Sequence, residues 1–275
     1  MQDAMAYREQ YDTDFGRFLD DHMAPLLRDL RGERVQRFTE SLDIMLGRKR
    51  RYEPQPALFH FQGLAPVTFF DRADFPWLDA FERELDAIRA EFLAAQAGAE
   101  GFTPYMQYGD DQPLRQWADL NNSLRWSAFH LVEAGKVNDA NARRCPHTMA
   151  LLAGAPQPDQ PGRTPVAMFS VLKPKTRIPP HCGVSNVRVV THVPLVVPPG
   201  CGFRVGNDVR AWEEGKAWVF DDTIEHEAWN DSDAPRAILM FDIWHPHLTG
   251  PERALVTAMS DGMNAFSADE GSFGL

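Results

Sequence analysis

The sequence predicts an α+β protein: helices toward the N-terminal end, then a mainly β core of barrel or sandwich type. Three observations predict it. From Val166 to Trp244 short β-rich runs follow one another, at 166–172, 186–197, 202–205, 209–212, 217–221 and 236–244, each of strand length. Turn-forming clusters separate them: Pro179-Pro180, Pro198-Pro199-Gly200, Gly206-Asn207-Asp208 and Asn230-Asp231-Ser232-Asp233. Ahead of them apolar residues recur at helical steps instead. Short strands at even spacing with such breaks make barrels and sandwiches.

The elements follow in order. In residues 1–50, Phe15, Phe18, Leu19, Met23 and Leu26 recur at three- and four-residue steps, and a second periodic stretch runs from Val35 to Leu46. This region reads as a packing extension or an oligomer contact through its helices. Pro54, Pro56 and Pro66 make 51–66 an irregular connector. Asp71 to Phe92 reads as one amphipathic helix, with Asp74 as N-cap, Pro76 in the first turn and Trp77, Phe81, Leu85, Ile88 and Phe92 on one face. Residues 99–125 read as loop with short helix, 126–150 as a strand and then a helix, and 153–165 as a loop rich in Gly and Pro. The end of the chain from Gly250 reads as weakly helical, then Gly- and Ser-rich and frayed. The expected organisation is a helical extension over 1–55, a main domain over 56–250 with its β core at about 166–246, and a tail over 251–275.

Composition narrows the function. Thirty-nine acidic against 28 basic residues give a net charge of −11, which disfavours a nucleic-acid partner. The basic run Arg48-Lys49-Arg50-Arg51 is a short solvated patch. Cys145, Cys182 and Cys201 form no CxxC and too few pairs for a disulfide framework, which fits a reducing compartment. No apolar stretch reads as a signal peptide or a membrane span. The expectation is a cytoplasmic enzyme or binding protein acting on a small molecule or peptide.

Three sets of residues can carry chemistry. Along 186–195, Val187, Val189, Thr191, Val193 and Leu195 share one strand face, and Asn186, Arg188, Val190 and His192 share the other. The polar face is either solvated or the wall of a ligand pocket. His181 and His226 each follow a turn-like break. They are either unrelated surface histidines or, at the mouths of two strands, a pair that shares a metal. Gly183, two residues after His181, denies a local His-x-carboxylate set. Arg236 opens an apolar strand. It either lies in water or points inward, where it requires an anionic partner that its planar fork would hold bidentately.

Together these residues resemble a family. The stretch from Ser170 through His181 and Arg188 to His192 is similar to the aspartyl/asparaginyl β-hydroxylases, as is Trp212 through His226 to Asn230, with Arg236 and the ending Phe241-Asp242-Ile243-Trp244-His245-Pro246. The match covers about 125–250, extends loosely to Phe75–Glu82, and leaves 1–55 outside. The resemblance implies a double-stranded β-helix, of jelly-roll or cupin-like form, working as a dioxygenase with iron(II), 2-oxoglutarate and O2. It hydroxylates an unactivated carbon, the β-carbon of an aspartyl or asparaginyl residue or a related amino acid, and releases succinate and CO2.

The resemblance also implies roles. His181 and His226 match the iron ligands, with water in place of a third side chain because this branch has glycine where Gly183 stands. Arg236 and Ser170 match the pair that holds the distal carboxylate of 2-oxoglutarate. His192 matches a residue near its proximal carboxylate, and Trp126 an aromatic of the same pocket. Arg188, with Asn186, would orient the substrate. Asp222, Glu225, Glu227 and Trp229 would support the ligand imidazoles from behind. The family has a second arginine where this chain has Val190. The disulfide, membrane anchor and repeat domain of the animal secretory-membrane member are not found in this sequence. Alternatives are hydroxylation of a free amino acid such as proline or of another small molecule; the wider family also hydroxylates lipid acyl chains, but a net charge of −11 and the lack of a membrane-binding helix argue against a lipid surface. A cupin-like barrel that binds a ligand without oxidising it is another alternative. A zinc hydrolase would need a third protein ligand.

Overall fold

The protein is described by a computed structural model, over residues 2–33, 35–98 and 100–269. The chain divides after Tyr52 into two compact units. The first unit holds α1 (Gln2–Asp29) and α2 (Gln36–Met45). Arg48 ties them, with its guanidinium 2.6 Å from Asp20 on α1 and 3.6 Å from Asp43 on α2. The helical period holds, but within this unit most of the apolar stripe faces outward, Phe18 being 63% exposed and Leu26 52%.

The second unit begins with the irregular connector. A 3-10 turn at Arg72–Asp74, α3 (Leu78–Arg83) and α4 (Leu85–Ala97) replace the single helix expected over 71–92. The capping residue is Asp71, not Asp74: its carboxylate accepts the Ala73 N–H. Pro76 explains the first interruption, because the residue before a proline is kept out of the helical region, and Phe75 has φ −129° and ψ 62°. The expected face is nevertheless used, with Phe81, Ile88 and Phe92 fully buried.

The remaining elements are β1 (Phe102–Pro104), β2 (Trp126–Glu133), β3 (Lys136–Val137), α5 (Asp139–Ala142), α6 (Pro146–Leu152), β4 (Ala167–Leu172), β5 (Thr176–His181), β6 (Arg188–Val196), β7 (Cys201–Val205), β8 (Asp208–Arg210), β9 (Trp218–Phe220), β10 (His226–Asn230), β11 (Arg236–Trp244) and α7 (Gly250–Asp269). A large antiparallel sheet runs β1-β2-β4-β11-β6-β9, with β3 on β2, and a smaller one runs β5-β10-β7-β8. This is the double-stranded β-helix that the resemblance implies.

Strand alternation explains the layering. On β6, Val189, Val193 and Leu195 face the helices, packing in one core with Phe81, Ile88, Phe92, Phe169 and Phe241. The opposite face of the large sheet looks at the smaller sheet and lines the cavity between them.

Four strands depart from the expected set: the short β1 and β3 at the end of the large sheet, and β5 and β10 of the smaller one. Pro179-Pro180 reads as a break in sequence but lies within β5, which is the edge of its sheet, where proline costs no ladder bond. The α7 segment is helical from Gly250, as expected, but it is packed and not a separate tail. It is a helix of 20 residues with Val256 and Ser260 buried, and belongs to the main unit. The Gly- and Ser-rich residues 271–275 lie outside the described residues. No described helix is long and apolar enough to cross a membrane.

Candidate functional site

Two of the unexpected strands, β5 and β10, bring the histidines together. Residues 226 and 181 stand opposite each other in the β10–β5 ladder, while Ala228 pairs with Ile178. One residue on β10, Glu227, thus stands against two on β5, Pro179 and Pro180, a bulge beside the two histidines. The imidazole centroids are 4.1 Å apart. Nδ1 of His181 lies 2.8 Å from the Pro179 carbonyl, and Nδ1 of His226 lies 3.1 Å from that of Ile224. A carbonyl only accepts, so each Nδ1 carries the proton and each Nε2 keeps its lone pair. Burial lowers the pKa of His181, and lowers that of His226 well below the usual range, with His181 adding to the effect. Both rings are therefore neutral, the form that binds a metal. Among the described residues, no group of three or more His, Cys, Asp or Glu side chains is placed to hold a metal. What fits iron here is the neutral pair with its free lone pairs.

The place of a third side-chain ligand is filled. A Cβ built on Gly183 would fall inside the Asp222 carboxylate. Asp222 lies 3.2 Å from Arg188 through one oxygen, and its other oxygen is buried without a hydrogen-bond partner. Glu225 and Glu227 both turn to Arg204 and leave the imidazoles to backbone carbonyls, so the support expected from them is not there. Trp229 packs over Gly202 instead.

On the large sheet, Arg236 of β11 pairs with Leu172 of β4, and Ile238 pairs with Ser170, so Arg236 and Ser170 share the inner face as diagonal neighbours. Arg236 is 1% exposed. Its Nε and one terminal nitrogen have no acceptor, and no acidic side chain among the described residues pairs with it. Its charge rests on the Trp212 ring, 4.9 Å away. Burial pulls its pKa down to about 10, which leaves it charged at neutral pH. Ser170 Oγ accepts the Trp126 indole N–H at 3.2 Å, which keeps the hydroxyl proton free to donate. Trp126 stacks on Tyr105 at 3.8 Å. His192 accepts the Trp212 indole N–H on Nδ1 at 3.4 Å, leaving Nε2 as its donor. Burial holds His192 well below the usual histidine range, with the nearby Arg236 adding to it. A buried, unpaired guanidinium beside a free hydroxyl proton fits one end of a dicarboxylate.

These residues line one cavity of about 760 Å3. Seven of the eight expected site residues line it: Trp126, Ser170, His181, Arg188, His192, His226 and Arg236. Asn186 is not in the wall, because its amide is spent on both backbone groups of Phe61. Arg188 is in the wall but not free. It lies 3.2 Å from Asp222 and 3.9 Å from Asp242. Residues 126–165 and 250–269 also contribute wall, through Gln160, Arg163, Met259 and Met263. Their sequence signal was weak, because a Gly- and Pro-rich loop and an isolated helix name no chemistry.

A double-stranded β-helix with a two-histidine pocket and a buried cation facing it defines the class of protein. The profile of the Aspartyl/Asparaginyl beta-hydroxylase family matches residues 82–246, and the chain belongs to that family. It is 32% identical over 255 residues to the human aspartyl/asparaginyl beta-hydroxylase, covering 90% of this chain and 31% of that one. It is 34% identical over 194 residues to an ornithine lipid ester-linked acyl 2-hydroxylase of Rhizobium tropici, covering 70% of this chain and 64% of that one. The chain thus spans about a third of the human and mouse aspartyl/asparaginyl beta-hydroxylases, 31% and 32% of their lengths. Among solved structures, a cupin 2 conserved barrel domain protein from Salinispora arenicola CNS-205 overlaps 57% of this chain and 99% of that one, at 13% identity and a TM-score of 0.30. The fold assignment rests on the strand pairing itself.

Proposed function

We propose that the protein is an iron(II)- and 2-oxoglutarate-dependent hydroxylase of an aspartyl or asparaginyl residue or a related amino acid. The observation that carries this reading is the unpaired guanidinium of Arg236 inside the cavity that holds two neutral imidazoles. A buried lone cation is costly, so the site is built for an anion that arrives as ligand. When bound through His181 and His226, iron(II) supplies activation of O2, coupled to decarboxylation of 2-oxoglutarate to succinate and CO2 and to hydroxylation of a substrate carbon.

The chain's own residues hold and orient. Arg236 and the Ser170 hydroxyl receive the distal carboxylate, and Trp126 fixes that hydroxyl. His192 donates from Nε2, toward the proximal end. Asp222 occupies the space beside Gly183, where its unpartnered oxygen could accept a hydrogen bond. Tyr105 and Trp117 stack on or beside Trp126 and exclude water from this side. Arg188 is tied to two aspartates with Val190 beside it, so this strand offers no free cation to a substrate carboxylate.

Succinate formation in the presence of iron(II), O2 and a panel of free amino acids and Asp- or Asn-containing peptides tests the reading. His226→Ala should abolish succinate while circular dichroism stays native. Full turnover in that variant would remove the iron assignment. If the wild type gives no succinate, and also fails to bind 2-oxoglutarate, the alternative of a ligand-binding barrel takes its place.

A further inference from the structure

The cavity extends past the histidines to the Gly- and Pro-rich loop before β4 and to α7. Val166, Met240, Met259 and Met263 line it there. The loop is pinned on both sides. Val166 N–H donates to Asp242 at 2.8 Å, Thr257 donates to the Asp159 carbonyl at 2.6 Å, and Asn264 donates to the Pro161 carbonyl at 2.6 Å. Its shape is fixed before any ligand arrives, which is the condition for a precise contact.

Two side chains of this loop, Gln160 and Arg163, line the cavity, and each carries a buried donor that has no acceptor. Gln160 is 6% exposed. Its Oε1 accepts from Ser260 at 3.5 Å, while Nε2 has no partner. Arg163 has an unpartnered Nε, and a terminal nitrogen touches the Met263 sulfur at 4.0 Å. A thioether is a weak acceptor and carries no charge. No acidic side chain among the described residues pairs with Arg163.

The cavity has three arginines, and the other two are spoken for. Arg188 stands between Asp222 and Asp242. Arg236 sits beside Ser170, at the place of the cosubstrate. Val190 adds no cation. One guanidinium remains, with one amide beside it on a rigid loop and a flexible apolar wall next to it.

We infer that Arg163 and Gln160 form the substrate-anchoring subsite and receive a carboxylate whose apolar body lies along Met240, Met259 and Met263. This rests on the reading of the cavity as the hydroxylase site. A single cation matches a singly charged group, and its planar fork matches a carboxylate. Methionines adapt to bodies of differing shape. Substrate specificity is thus set by the loop and α7, not by the strand that carries Arg188.

The test is calorimetric titration of the full chain, saturated with manganese(II) and 2-oxoglutarate so that Arg236 is occupied. The probes are butanoate, hexanoate and octanoate and their primary amides. The inference predicts that carboxylates bind at least about tenfold tighter than the matching amides. Arg163→Met should erase that preference while 2-oxoglutarate affinity stays within about twofold. Gln160→Met and Arg163→Lys, which are milder, should each weaken the carboxylates several-fold and leave the amides unchanged. Equal binding of acids and amides overturns the inference, as do a preference that survives Arg163→Met and the failure of every probe to bind at millimolar concentration. Loss of 2-oxoglutarate binding in the wild type, with the acid preference intact, counts against the proposed function and not against this subsite.

Discussion

A guanidinium buried without a counterion works against folding, and Arg236 is that residue here. Arg236→Met should therefore stabilise the ligand-free protein, by about 1–3 kcal/mol, since an apolar side chain of similar length needs no partner. The same variant should lose the thermal shift that 2-oxoglutarate gives the wild type. Differential scanning fluorimetry with and without the dicarboxylate reads both. A variant no more stable than wild type, or still shifted, would contradict the role given to Arg236. Gly183 makes a second residue-level prediction. Gly183→Ala drives a methyl into the Asp222 carboxylate, and should cost about 1–3 kcal/mol. In an Asp222→Ala background the same change should cost clearly less, and equal costs in the two backgrounds would refute the clash. Arg236, Ser170, His181 and His226 were legible because each stands in a motif of the family. Asn186 was misplaced because alternation gives its face but not its partner, the Phe61 backbone 125 residues away. Arg163 was illegible because nothing in a Gly- and Pro-rich loop tells which side chain turns inward.

At the scale of elements, the closest work is done by β5 and β10, which periodicity missed. β5 carries two prolines, and β10, His226-Glu227-Ala228-Trp229-Asn230, has polar residues at both inward ends. Hydrophobic period finds apolar strands, and these two are strands because their neighbours supply the ladder. Asn230 anchors the end of β10. Its amide donates to the carbonyls of Leu172, Lys173 and Ala234, and its oxygen accepts from Ser232 and Cys201. Asn230→Ala leaves buried groups of three segments unpaired and should cost at least about 3 kcal/mol in urea unfolding. A loss under about 1 kcal/mol would mean that this network does not hold the smaller sheet.

At the scale of the molecule, burial sets the pH response. His130, His181, His192, His226 and His245 all have lowered pKa values, chiefly from burial, with His245 at about 4. Their neutral forms are favoured in the folded state, so their contribution is full above about 6.5 and is lost as pH falls toward the folded values. Asp221 and Asp242 act the other way. Burial raises each to about 6, so the folded state favours their protonated forms, and that gain is lost as pH rises from about 4 to 6. With five groups against two, the metal-free protein should be less stable at pH 5 than at pH 7. Asp242→Asn should deepen that loss, because it removes one opposing carboxylate. Urea midpoints across this range read both, and a profile in which Asp242→Asn is flatter than wild type would show the sign to be wrong.

The fold class was legible at this scale from strand spacing and turn chemistry. The division of the cavity wall between the β core and α7 was not, because a helix following the last strand carries no sign of where it docks. The most direct measurement of the proposed iron site needs no substrate. Iron(II) and 2-oxoglutarate are added to the metal-free protein without oxygen, and the visible spectrum is searched for the weak absorption band that iron(II) gives with a bound 2-oxo acid. The assignment of His181, His226 and Arg236 predicts the band in the wild type, its loss in His181→Ala and His226→Ala, and a much higher 2-oxoglutarate requirement in Arg236→Met. A folded wild-type protein that gives no band at saturating iron(II) and 2-oxoglutarate would contradict it.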